Sequence, residues 1–248
     1  MDRQSAFSYR CGACGRCCHN QVITLSPVDL IAIARASGLR TDAARARYTL
    51  RRGSLLRFRD DGGCAALDGV RCAIHPGRPL ACRLYPLGLE RTPDGDRFVR
   101  IAPADGSAGA YGADGTVADY LGAQDADRQL ELIASYLPLI HLIRARIGAL
   151  VDFESVEPRE FWRRATAEAL RESNYDTNAL IDLIFDADGS GASRDSLAAT
   201  VATHVAALRE AIAWAIDPAA LAAAAILLAV SLGHSPAEAI PRPSRGLN

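Results

Sequence analysis

The sequence predicts an α+β protein: a small, irregular, cysteine-rich domain over residues 1–115, an all-α helical domain over 116–240, and a disordered tail over 241–248. Three observations predict it. All seven cysteines fall between positions 11 and 82, in two regions that also carry short alternating runs and many turn residues. From Thr116 onward cysteine is absent and apolar residues recur at helical spacing. The tail, "PRPSRGLN", lacks any apolar run that could be buried.

Taken in order, "CGACGRCC" places Cys11, Cys14, Cys17 and Cys18 in one loop. Neighbouring cysteines do not easily form a disulfide, and crowded thiolates repel unless a cation sits between them, so this spacing predicts a metal-binding loop. In an extended backbone Cys17 and Cys18 point to opposite sides, one to a metal and the other to a second metal or a neighbour. "QVITLSPVDLIAIARASGL" predicts a short strand and then a helix, with Ser26 as N-cap, Pro27 at the first helical position, Asp29 closing a capping box, and Gly38 ending it. "RRGSLLRF" predicts a strand leading into the second region, "CAALDGVRCAIHPGRPLACRLYP", which carries Cys64, Cys72 and Cys82. "LGLERTPDGDRFVRI" predicts a hairpin turning at Pro93 to Asp96. The stretch 103–115, rich in Gly, Ala and Asp, reads as a connecting loop that either simply links or lies over the cysteines.

The helical part begins with "QDADRQLELIASYLPLIHLIRARIGAL", which Pro138 divides or kinks. A helix starts at Pro158, and others follow in "DTNALIDLIF", "SRDSLAATVATHVAALREAIAWAI" and "PAALAAAAILLAVSLG". The uncharged run Pro218–Gly233 is shorter than the ~20 residues needed to span a bilayer and is alanine-rich. It predicts a buried bundle helix, and no membrane span is expected. Asp186, Asp188, Ser190 and Gly191 imitate the start of a calcium loop. Leu197 stands where that loop needs its closing glutamate, so the segment is expected to cap a helix instead.

Composition excludes several chemistries. The chain has 248 residues, 49% of them hydrophobic, and all 28 basic side chains are arginine. Without lysine there is no Schiff-base site and no P-loop. Residues 1–101 carry 17 arginines against 9 acids, and the remainder 11 against 20. A basic half suits nucleic acid, but metal-bound thiolates would cancel most of its charge, so nucleic acid is not the expected partner. The opening "MDRQSAFSYRCGACG" has no apolar segment of the secretory kind, and the expected compartment is the reducing cytoplasm.

Seven thiols exceed the four that one zinc ion or one cubane iron–sulfur cluster takes, leaving two linked sites or one site with spare thiols. Cys11, Cys14 and Cys17 repeat the C-x2-C-x2-C start of bacterial ferredoxins without the Cys-Pro ending. The C-x3-C-x2-C order of radical enzymes is absent, since Gln21 occupies its third place. Spacing leaves iron–sulfur, expected as 4Fe-4S, and zinc both open. Arg78 and Arg83 flank Cys82 and are candidate cofactor-binding residues, by donation to cluster sulfur or to an anionic substrate. His75 and, less directly, His19 are candidate ligands or proton carriers, with turn residues as the bland alternative. His141, His204 and His234 sit in helical segments and are expected to be incidental.

"FSYRCGACGRCC", "ITLSPVDLIAIA" and "CAIHPGRPLACRLYP", in that order, resemble the successive blocks of the CxxCxxCC, or YkgJ-type, family of zinc- or iron-chelating proteins. The usual last block, CxIYxxRPxxCRxFP, is matched at Arg78, Pro79, Cys82, Arg83 and Pro86, with His75 and Tyr85 in place of its aromatic residues. The resemblance covers roughly the first half of the chain. It implies metal chelation and, through related flagellin lysine N-methylases, an iron–sulfur cluster with S-adenosylmethionine. The later region of those enzymes is not recognisable here. The expected function is therefore an iron–sulfur protein serving redox chemistry or modification of a protein or small molecule. Two alternatives stand beside it: S-adenosylmethionine-dependent N-methylation, and a zinc-stabilised interaction module.

Overall fold

The computed structural model describes residues 1–92, 95–171, 178–187 and 195–240. It is α+β, with short two-stranded pairs in the first half and helices in the second. The turn residues Pro93 and Asp94, part of the calcium-like loop including Asp188, Ser190 and Gly191, and the tail 241–248 lie outside the described residues.

Strand β1 (Ala6–Arg10) runs into the first cysteine loop. Helix α1 (Pro27–Ser37) forms as its caps dictate: Ser26 accepts from the Asp29 amide while the Asp29 carboxylate accepts from the Ser26 amide. Pro27 to Ala34 are all buried, so α1 is a central rod and not a surface helix. The strand expected before it does not form. Among the described residues only isolated bridges form over 19–25, His19 to Gly63 and Thr24 to Leu55, because these residues spend their backbone groups on several separate loops. Helix α2 (Thr41–Tyr48), not anticipated, packs on α1 through buried Ala44 and Tyr48. The "RRGSLLRF" strand shrinks to β3 (Leu55–Leu56), paired with β2 (Thr49–Leu50) across a 3-10 turn, Arg51–Gly53. Strands β4 (Leu67–Asp68) and β5 (Arg71–Cys72) form a tight hairpin, and α3 (Leu80–Leu84) follows.

The expected hairpin is present as β6 (Leu87–Thr92) and β7 (Gly95–Arg100), in register from Leu87 opposite Arg100 to Thr92 opposite Gly95. Residues 103–115 are not simply a loop. Their second half is β8 (Ala110–Thr116), antiparallel to β1, with Tyr9 opposite Tyr111. Local propensity opposes a strand there, but Tyr111 stacks edge-on against Tyr9 and Phe7, and that packing overrides it.

The helical half comprises α4 (Val117–Ala123), α5 (Ala126–Ala134), α6 (Leu137–Leu150), α7 (Pro158–Leu170), α8 (Ala179–Ile184), α9 (Leu197–Trp214), α10 (Pro218–Ser231) and α11 (Pro236–Ala239). Pro138 does divide its segment: α5 stops before Ser135, and α6 begins with the proline in its first turn, where a missing N–H costs nothing. By length and composition alone Ala126–Leu150 could cross a membrane. Its Leu139, Ile140, Ile143 and Ile147 instead form a buried stripe packed on α9 and α10, and Arg144 and Arg146 bind the carbonyls of Ala239 and Ala215. Helix α10 is the expected buried bundle helix, with Leu221 to Ala229 enclosed on every side.

One continuous core joins α1, α2, the second cysteine region and helices α5 to α10, from Leu25 to Ala239. A smaller one, Phe7, Leu84, Leu87, Phe98, Val117, Tyr120, Leu121 and Ala126, sits under the β1–β8 pair. Polar bonds tie the halves together as well. Buried Asp29 accepts from the Ser26 amide and hydroxyl (2.7 and 2.6 Å), from the Leu80 amide at the start of α3 (2.7 Å), and from the Gln129 side chain on α5. Burial pushes its pKa up, and the Ser26 and Leu80 donors oppose that rise.

Candidate metal centre

The first loop leaves β1 and folds under residues 104–108. Gly12 makes this possible, since a Cβ there would stand 2.5 Å from the Ala108 carbonyl oxygen. Gly15, in the left-handed region at φ 71°, starts a 3-10 turn over Arg16–Cys18. That turn corrects one expectation. Cys17 and Cys18 do not diverge as in an extended chain; their sulfurs lie 4.0 Å apart on one side of the turn.

The second region is brought against this turn by backbone bonds. The Cys64 amide donates to the Cys18 carbonyl (2.8 Å), and the Asn20 amide to Gly62 (2.9 Å). The β4–β5 hairpin then holds Cys72 opposite Leu67, and α3 carries Cys82 in its middle. Gly77, in the turn between them, lies flush against the Ala32 carbonyl of α1, with no room for a Cβ.

Five sulfurs consequently feel one another. Burial pushes the Cys82 thiol up, reinforced by Cys64, Cys72 and Cys17; burial does the same at Cys64, where Cys72 and Cys17 add to it, and at Cys72, where Cys17 does. Cys18 is pushed up by its hydrogen bond with Cys17 and then by burial, while that same bond brings Cys17 down to about 7 against the opposing effect of burial. Cys11, which is exposed, and Cys14 stand outside this group, beneath the 104–108 segment.

The backbone is arranged around the sulfurs in a repeated way. The amides of Ala13 and Ala66 each donate, at 3.4 Å, to the sulfur two residues earlier, Cys11 and Cys64. The Arg16 and Ile74 amides act likewise on Cys14 and Cys72. Cys14 also receives the Ala108 amide at 3.4 Å, the largest cause of its lowered pKa. Amide donors favour the thiolate over the thiol, which is the form that ligates metal. All seven cysteines are free. Among the described residues, no group of three or more His, Cys, Asp or Glu side chains is already gathered as an ion-holding set. The donor chemistry nevertheless fits a thiolate-bound metal: soft ligands, amide donors on four of them, and the adjacent sulfurs of Cys17 and Cys18, whose thiolates a cation would reconcile.

In the structure the candidate arginines bond to oxygens around the 76–78 turn. Arg83 is buried, and its three guanidinium nitrogens donate to the carbonyls of Arg78, Gln124 and Pro76 (3.2, 2.9 and 2.7 Å). Arg78 donates to the His75 carbonyl (3.0 Å) and the Gln124 side chain (2.7 Å). Together they clamp the 76–78 turn, and with it the approach to Cys82, onto the end of α4. His75 is exposed, and its pKa is lowered by burial of its ring edge and by the nearby charges of Arg78 and Arg83. His19 donates from Nδ1 to the Gly15 carbonyl (3.0 Å), which leaves Nε2 as its open lone pair. His204 is a satisfied core histidine, bound by Tyr136 (2.8 Å) and the Leu183 carbonyl (2.7 Å). His141 lies exposed on α6 and His234 at the end of α10, away from the cysteines in sequence and in element.

Sequence reasoning missed the amide donors and Asp29's second set of bonds, whereas lying over the cysteines was one of its two readings of 103–115. The only prior signal was the small residue two places after Cys11 and Cys64, Ala13 and Ala66.

A chain that gathers free cysteines from two distant regions and presents backbone amides to four of them has the donor chemistry of a metal-chelating protein. Residues 10–100 match the model of the CxxCxxCC family, described as a zinc- or iron-chelating domain. The chain is similar to that family over this segment, and the segment contains every cysteine. No curated protein and no solved structure matches the chain.

Proposed function

We propose that the cysteine centre holds an iron–sulfur cluster of the 4Fe-4S kind and serves redox chemistry or the modification of a protein or small molecule. The observation that carries this reading is the amide-to-sulfur pattern at Cys11, Cys14, Cys64 and Cys72. Such donors lower the cost of accumulated thiolate charge and tune a cluster's potential. Cys17, Cys18, Cys64, Cys72 and Cys82 would form the inner ligand group, Cys17 influencing the ionisation of the other four, and Cys11 and Cys14 would add to it from the outer loop. When bound there, a cluster supplies one-electron transfer or an open iron for a substrate group. The chain's own part is to keep the thiolates poised, to hold the Cys82 helix through Asp29 and Arg83, and to cover the outer cysteines with residues 104–108.

The test is purification without oxygen. The expected protein is brown, contains iron and sulfide, and bleaches with dithionite, and Cys14→Ser lowers its metal content and solubility together. Colourless protein with stoichiometric zinc supports the second reading, a closed zinc site stabilising an interaction module. The burial of Cys64 and the two-residue β4–β5 hairpin favour that reading, since closed zinc sites staple short loops.

A further inference from the structure

A second concave site lies on the face formed by α2, the Arg51–Gly53 turn and the ends of α7 and α10. It is a cleft of about 390 Å³, within the range of small-molecule sites. Five arginines line it: Arg45, Arg51, Arg52, Arg57 and Arg171. Three acids stand near them. Asp42 lines the cleft, Asp182 lies 3.7 Å from Arg45 and 3.9 Å from Arg52, and Glu168 lies 3.4 Å from Arg171. The balance remains positive.

The way these arginines are held points to a ligand. Arg51 and Arg52 both adopt the left-handed region, at φ 46° and 60°, where a residue with a side chain costs roughly 1 kcal/mol or more. Glycine or asparagine would form such a turn at lower cost, and here it presents the exposed Arg51 guanidinium, with Arg52 more buried beside Asp182. Arg51 is exposed, and its guanidinium takes part in no hydrogen bond or ion pair among the described residues. Arg57 uses Nε and one terminal nitrogen on the Thr49 carbonyl (3.2 and 2.9 Å), which fixes the plane of its guanidinium at the cleft. Behind the arginines the wall is apolar, with Leu55, Leu227 and Val230. A guanidinium rim over an apolar wall matches an organic phosphate, whose phosphate takes the paired N–H donors while its carbon skeleton lies on the leucines.

We propose that this cleft binds a phosphate ester of a small organic molecule, separately from the cysteine centre. The test is calorimetric titration of the full-length, metal-loaded protein with phenyl phosphate, inorganic phosphate and a single-stranded oligonucleotide. Phenyl phosphate is expected to bind about tenfold or more tightly than inorganic phosphate, because its ring is buried on the wall, and to weaken as salt rises. Arg51→Ala and Arg171→Ala, each made separately because both side chains are exposed, are expected to weaken it about tenfold while metal content and thermal midpoint stay unchanged. Absence of binding at millimolar phenyl phosphate, equal binding of the two phosphates, or indifference to both substitutions overturns the proposal. Much tighter binding of the oligonucleotide also overturns it, and makes the cleft part of a nucleic-acid surface.

Discussion

Replacing Asp29 by alanine removes a side chain that joins three helices: α1, which carries it, α3 and α5. Its carboxylate accepts from the Ser26 amide, the Ser26 hydroxyl, the Leu80 amide and the Gln129 side chain, and both Ser26 and Gln129 are buried. Alanine leaves at least two buried donors, the Ser26 amide and the Gln129 amide, without an acceptor, at about 1–3 kcal/mol each. The lost capping box adds about 1 kcal/mol. Releasing a buried carboxylate offsets part of this, so a net loss of about 3 kcal/mol is expected, a large share of a stability that is typically about 5–15 kcal/mol. For a chain of this size that is about 6–12 °C in the thermal midpoint. Because the Leu80 amide opens α3, Cys82 should also lose its position. Differential scanning calorimetry and metal analysis on the same preparation read both effects. Asp29→Asn should be nearly as damaging, since its amide group sets a donor against one of the existing donors. A midpoint within about 1 °C of the parent would refute the keystone role. A large drop with full metal content would show that α3 is held by other bonds, chiefly those of Arg83.

Further outcomes follow from the same geometry. Burial lowers the His204 pKa, so the folded chain keeps it neutral where the unfolded chain takes a proton; stability present above about 6.5 should fall as pH drops through that value, and His204→Gln should flatten this dependence of the midpoint. Gly77→Ala forces a Cβ into the Ala32 carbonyl of α1 and is expected to cost about 1–3 kcal/mol, read by denaturant titration; no loss would mean that the turn can shift freely. Arg83→Ala should strand the carbonyls of Pro76, Arg78 and Gln124 and raise the protease sensitivity of the 75–86 segment, whereas Arg83→Lys should restore only part, because an ammonium cannot span three acceptors in one plane. Residues 116–240 expressed alone should be helical by circular dichroism but melt broadly, because their core is shared with Leu25 to Ile74; a sharp cooperative melt would show that the helical half is independent.

What the sequence determined by itself was whatever is encoded locally. Capping chemistry at Ser26 and Asp29 set the start of α1, Pro138 set the break between α5 and α6, and Pro158 set the start of α7. These are interactions between residues a few places apart, so spacing reveals them. The same holds for cysteine spacing, which marked the metal-chelating segment later matched over residues 10–100. The tertiary structure alone decided how distant segments meet. The pairing of 110–116 with β1 depends on aromatic packing between Tyr111 and residues about a hundred places earlier, which no local pattern contains. The side-by-side sulfurs of Cys17 and Cys18 depend on a 3-10 turn and not on their adjacency. Arg78 and Arg83 flank Cys82 in the sequence, and the fold supplies them with carbonyls and the Gln124 side chain as acceptors, partners that Gln124's distance along the chain hides from any local pattern. The arginines of the second cleft are scattered from Arg45 to Arg171, and only the packing of α2 beside α7 and α10 places them around one space.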